Sequence, residues 1–108
     1  MTFITSINLK VPDSKVSEFL SGYESLEEYT WPEGVITSYL LQDANENGSY
    51  IIMTMVENEE LSKKLRRVTQ TPLFDLFQKL EIKPTSKVYN VVKTLNHSKR
   101  HIPWYAIK

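Results

Sequence analysis

The chain has 108 residues, 41% hydrophobic and 24% charged, which suits one globular domain and is too short for two independent cores and too apolar for a disordered segment. With no cysteine there is no disulfide, thiolate metal site or cysteine nucleophile to consider. The net charge is zero but uneven: residues 1–60 hold two lysines against eleven acids, a balance of −9, and residues 61–108 hold eleven cations against Asp75 and Glu81, a balance of +9.

Residues 3–11 alternate, with Phe3, Thr5, Ile7, Leu9 and Val11 on one face and Ile4, Ser6, Asn8 and Lys10 on the other. This period predicts a strand that Pro12 ends. Asp13 or Ser14 is placed to cap a helix of about four turns, whose apolar stripe is Val16, Phe19, Leu20, Tyr23 and Leu26. Trp31-Pro32-Glu33-Gly34 reads as a loop. Val35–Leu41 and Ser49–Val56 form two antiparallel strands around the polar turn Asp43–Gly48, where Asn47-Gly48 tolerates positive φ. Asn58 caps a second helix bearing Leu61, Leu65 and Val68. Thr71-Pro72 interrupts it, with Thr71 as N-cap and Pro72 at the first helical position, and the helix resumes with Phe74, Phe77 and Leu80. After Pro84, Lys87–Leu95 is the last predicted strand. Residues 96–108 are a basic tail with an apolar end, expected to dock on the domain (residues 1–95) or on a partner subunit.

The order β-α-β-β-α-β predicts an α+β, ferredoxin-like fold: a four-stranded antiparallel sheet with two helices on one face. Strand Ser49–Val56 is apolar on both parities, and two helices cover only one face. A homodimer packed sheet against sheet is therefore expected.

These segments resemble the antibiotic-biosynthesis-monooxygenase-like family of the dimeric α+β barrel superfamily, over roughly residues 3–95. The resemblance is carried by the strand ending near Val11, the loop Pro32-Glu33-Gly34-Val35, the junction Met55-Val56-Glu57-Asn58-Glu59-Glu60 and the break Thr71-Pro72-Leu73-Phe74. That family includes enzymes that oxidise quinol-like aromatics without metal or flavin, enzymes that degrade haem, and members with no known reaction. The haem-degrading branch implies an Asn on the first strand, a Trp where the third strand meets the second helix, and a His four residues after a Phe on that helix. Asn8 stands at the first position. The second falls at or beside Val56 and the third at Gln78, four residues after Phe74, and glutamine does not replace an axial imidazole. A Trp near that strand end is also common in the quinol-oxidising branch.

The resemblance makes Asn8 the candidate catalytic residue, an amide that would orient a substrate oxygen in a cavity between sheet and helices. The alternative is an asparagine on the exposed or dimer-facing side, bonded to a neighbouring strand. Trp31, Tyr23, Phe74, Phe77 and Gln78 are the candidate lining of a pocket for a flat aromatic ligand, although Phe19, Phe74 and Phe77 also fit plain core positions. His97 and His101 stand four apart, but Lys99 and Arg100 between them oppose a cation, so no metal is expected. Only three glycines are present, too few for a phosphate-cradling fingerprint, and no Gly-x-Ser-x-Gly turn occurs. The scattered cations carry no nucleic-acid motif. No apolar run approaches the roughly 18–20 residues of a membrane span, and the N-terminus lacks a signal-peptide pattern. The expectation is a cytoplasmic homodimer without nucleic-acid or membrane partners, acting as a monooxygenase on a small aromatic and needing no cofactor. A non-catalytic ligand-binding or regulatory dimer is the alternative, and haem binding or degradation the third.

Overall fold

The computed structural model describes residues 2–67, 72–95 and 101–107, without the side chains of Arg66 and Arg67. The elements are β1 (Phe3–Lys10), α1 (Val16–Glu24), β2 (Val35–Gln42), β3 (Ser49–Val56), α2 (Glu59–Arg67), α3 (Pro72–Lys79) and β4 (Thr85–Asn90), with short 3₁₀ turns at Asp13–Lys15, Ser25–Glu28 and Trp104–Ala106. The strands form one antiparallel sheet in the order β2-β3-β1-β4. This is the ferredoxin-like arrangement expected from the element order.

The alternation along β1 decides which side the helices cover. Leu9, Val11, Tyr50 and Ile52 pack with Phe19, Phe77, Leu80 and Ile82 in one buried cluster, and Phe19 is fully buried. Transfer of such a side chain from water contributes about 1.5–3 kcal/mol. The opposite parity carries Ile4, Asn8, Ile51, Met53, Tyr39, Leu41 and Tyr89, aligned across the strands by the register. On this side Tyr39 is 57% exposed, Leu41 41% and Tyr89 50%.

Several boundaries differ from the sequence expectation. The first helix is shorter than four turns: α1 gives way at Ser25 to a 3₁₀ turn. Neither Asp13 nor Ser14 caps it, because a preceding turn, closed by Lys15 N–H on the Pro12 carbonyl at 2.8 Å, leads the chain into it. Leu20 sits outside the buried stripe, 40% exposed. By contrast Asn58 does cap α2, its Oδ1 accepting from Leu61 N–H at 2.8 Å, and Pro72 opens α3. β4 begins and ends earlier than expected, since it pairs with β1 alone and its rungs run out at Phe3↔Asn90. One further bond, Val91 N–H to the Thr2 carbonyl at 3.0 Å, follows that rung. Val68, Thr71 and His97 lie outside the described residues. No helix among the described residues is long and apolar enough to cross a membrane.

Candidate functional site

Along the helix-covered face, residue size changes from one end of the sheet to the other. Leu9, Ile7, Tyr50 and Ile52 are large; the next rung brings Ser38, Thr54 and Thr5 side by side on β2, β3 and β1. Ser38 and Thr54 share a hydrogen bond of 3.0 Å. Thr5 Oγ1 lies 3.3 Å from Ser62 Oγ, which fixes α2 to the sheet through a fully buried serine. Small side chains on this rung leave a hollow between sheet and helices, because the helix side chains do not reach down to fill it.

The hollow has two chambers. The first, of about 250 Å³, is lined by Thr5, Ile7, Trp31, Thr54, Leu65, Leu73, Phe74, Phe77, Pro84 and Ser86. The second, of about 220 Å³, is lined by Tyr23, Leu26, Glu27, Trp31, Ser38, Ile52, Thr54 and Leu73. Trp31, Thr54 and Leu73 belong to both, so Trp31 stands where the chambers meet. Its loop is held locally. Gly34 adopts φ +99°, Glu57 N–H donates to the Gly34 carbonyl at 2.9 Å, and Tyr29 meets the indole edge-on at 5.1 Å.

Among the described residues no charged side chain lines the first chamber, and Glu27 is the one carboxylate in the second. Burial pushes the Tyr23 hydroxyl above its ordinary pKa of 10.0, so this phenol is protonated at neutral pH. The floor is therefore a row of hydroxyls, each able to donate or accept, beneath aromatic and aliphatic walls. A hydrogen-bonded hydroxyl pair uses one O–H between its members and leaves the other to meet a ligand oxygen. Among the described residues no cluster of His, Asp or Glu could hold a metal ion.

Of the sequence candidates, Trp31, Phe74 and Phe77 stand in the first chamber and Tyr23 in the second. Phe77 is also core, 3% exposed. Two candidates are corrected. Asn8 lies on the face away from the helices, opposite Ile51 and Thr85, because its parity in β1 is that of Ile4 and Ser6. It cannot reach the hollow. Gln78 is exposed and lines neither chamber; one residue turns a helix by about 100°, which carries it outward from buried Phe77. Sequence reasoning missed Thr5, Thr54, Ser38 and Ser86. Their signal was present, as a switch from large apolar residues to Thr and Ser along a single strand parity.

Neither a protein-family model nor a curated protein sequence matches this chain. Solved structures do. A conserved protein from Methanosarcina mazei Go1 is 22% identical with TM-score 0.67, over 82% of this chain and 91% of its own. A proposed antibiotic biosynthesis monooxygenase from Deinococcus radiodurans is 13% identical with TM-score 0.70, over 87% and 96%. A single-site mutant of SnoaB, a cofactor-independent oxygenase from Streptomyces nogalater, is 14% identical with TM-score 0.67, over 87% and 96%. These likenesses establish the fold, which is that of antibiotic biosynthesis monooxygenases, as the sequence resemblance implied.

Proposed function

We propose that the chain is a cytoplasmic homodimer that oxygenates a small, uncharged, electron-rich aromatic of quinol type, with the substrate seated in the hollow around Trp31. The observation that carries this is the first chamber, whose described lining is without charge and gives it a hydroxyl floor and aromatic walls. Among the described residues its lining offers no nucleophile with a partner base and no metal-ligating set, and in this reading the substrate itself supplies the reducing power. In such a step a ring carbon that carries two hydrogens in its keto tautomer becomes a carbonyl. Dioxygen takes four electrons from the substrate, placing one oxygen atom on that carbon and releasing the other as water. Thr54 and Thr5 would hold the substrate oxygen, and the aromatic walls would exclude water from the reacting carbon. SnoaB, an oxygenase that works without a cofactor, has the same fold. Haem fits the described lining poorly: among the described residues no histidine lines either chamber, and Gln78 is exposed and lines neither.

The placement of Asn8 on the far face favours one alternative, a dimer that binds such a ligand without turning it over. Oxygen uptake with a panel of hydroquinones separates the two. Turnover that falls in Thr54→Val supports the oxygenase, whereas saturable binding with no uptake above the uncatalysed rate identifies a binding protein. The exposed Tyr39, Leu41 and Tyr89 on the helix-free face support the sheet-to-sheet dimer, since apolar patches of this kind mark interaction surfaces.

A further inference from the structure

The last described segment, residues 101–107, has no seat on its own protomer. Ile102, Trp104, Tyr105 and Ile107 are 69, 82, 75 and 71% exposed. The segment is nonetheless shaped. Ala106 N–H donates to the Pro103 carbonyl at 2.9 Å, and the Trp104 and Tyr105 rings meet edge to face at 6.0 Å. The approach to it is exposed as well, Val92 at 88% and Leu95 at 67%. The radius of gyration is 16.3 Å, against about 13 Å for a compact chain of this length. The apolar side chains of the segment find burial only against another molecule.

A second copy carries a surface of matching character. On α1, on the turn after it and on the loop into β2, Glu18, Glu24, Glu27, Glu28 and Glu33 are exposed, and none is ion-paired among the described residues. Among them lie Leu20 and Tyr29, 40 and 38% exposed. After Glu81 the sequence contains six lysines and arginines and no acid. The register puts the end of β4 and the start of β2 at the same end of the sheet, on the rung of Phe3, Val56, Asn90 and Val35. They stand there on opposite edges of the sheet, since β2 and β4 are its two outer strands.

We propose that residues 101–107 of one copy dock on the ridge Glu18–Glu33 of a second copy, and reciprocally, so that the dimer exchanges arms. The interface is isologous, as two-fold symmetry requires. Lys99, Arg100 and Lys108, which flank the segment in sequence, bring charge opposite to the ridge and steer the encounter, and burial of Trp104 and Tyr105 holds the arm in place.

The absence of native cysteine gives a direct test with the full chain. Mixing Trp104→Cys protein with Tyr29→Cys protein under mild oxidation is expected to give a disulfide-linked pair of twice the chain mass. Trp104→Cys mixed with Glu46→Cys, at the far hairpin, is expected to give only background. In sedimentation, Trp104→Ala with Tyr105→Ala weakens self-association about tenfold. Glu27→Lys with Glu28→Lys also weakens it, and the four changes together cost less than the two effects combined, because they break one contact. The proposal is overturned by a wild type that stays monomeric, by cross-linking no greater than the Glu46→Cys control, or by association unchanged in the tail variant. A chain carrying both Trp104→Cys and Tyr29→Cys that closes on itself at single-chain mass also overturns it, by placing the arm on its own ridge.

Discussion

Trp31 is the residue on which the candidate site turns. It forms a wall of both chambers and is held by Tyr29 and by the loop that Gly34 closes. Replacing it with alanine opens the chambers into one another and removes the largest aromatic contact available to a ligand. The expected loss in affinity is about tenfold or more, read by calorimetry. Thr54→Val keeps the shape of the floor and removes its hydroxyl, and the loss is expected to be about 1 kcal/mol of binding. Tyr23 supplies a pH signature. Burial raises its pKa in the folded protein, so the folded state holds this proton more tightly than the unfolded chain does. The resulting stability is present below the ordinary tyrosine pKa and lost as pH rises through the raised value. Between about pH 9 and pH 11 the urea midpoint of wild type is therefore expected to fall more than that of Tyr23→Phe. Trp31 was legible in the sequence because a tryptophan beside proline in a loop has little structural reason to be there. Thr54 was not, because alternation marks which face a residue takes and not whether the space above it is filled.

At the scale of elements, hydrophobic period and turn chemistry were enough to order the strands and helices. β3 was expected at Ser49–Val56 and is found there, since its β-rich run ends abruptly at a glycine turn and a capping Asn. The hairpin into it depends on Gly48, whose φ is +85° and whose added Cβ would stand 2.7 Å from the Val11 carbonyl oxygen. Gly48→Ala is expected to destabilise the fold by about 1–3 kcal/mol, read as a lower urea midpoint with unchanged slope. β4 was misplaced for a reason its own sequence does not contain: its length is set by the partner strand, and β1 stops at Phe3. The burial of Ser62 was equally hidden. On α2 the apolar stripe pointed to Leu61 and Leu65, yet the helix is seated through a serine that meets Thr5. Such a polar pair is satisfied only once both elements are in place, so single-element periodicity passes over it.

For the whole molecule, the two sides of the sheet have different roles. One side is covered by helices and encloses the hollow; the other presents Tyr39, Leu41 and Tyr89 to water in a single chain. Back-to-back pairing would bury that second side and leave the chambers under their own helices, so each protomer keeps a complete hollow. Tyr39→Lys, placing a charge in the face proposed to pair, is accordingly expected to shift the chain to monomer in sedimentation without abolishing ligand binding. The most direct measurement is an anaerobic calorimetric titration of naphthohydroquinone into wild type and Trp31→Ala protein, with folding of the variant verified by circular dichroism. Saturable binding at one site per chain, weakened about tenfold or more by the substitution, is the predicted result. Absence of saturable heat in the wild type, or equal affinity in the two proteins, would contradict the assignment of the hollow as the ligand site.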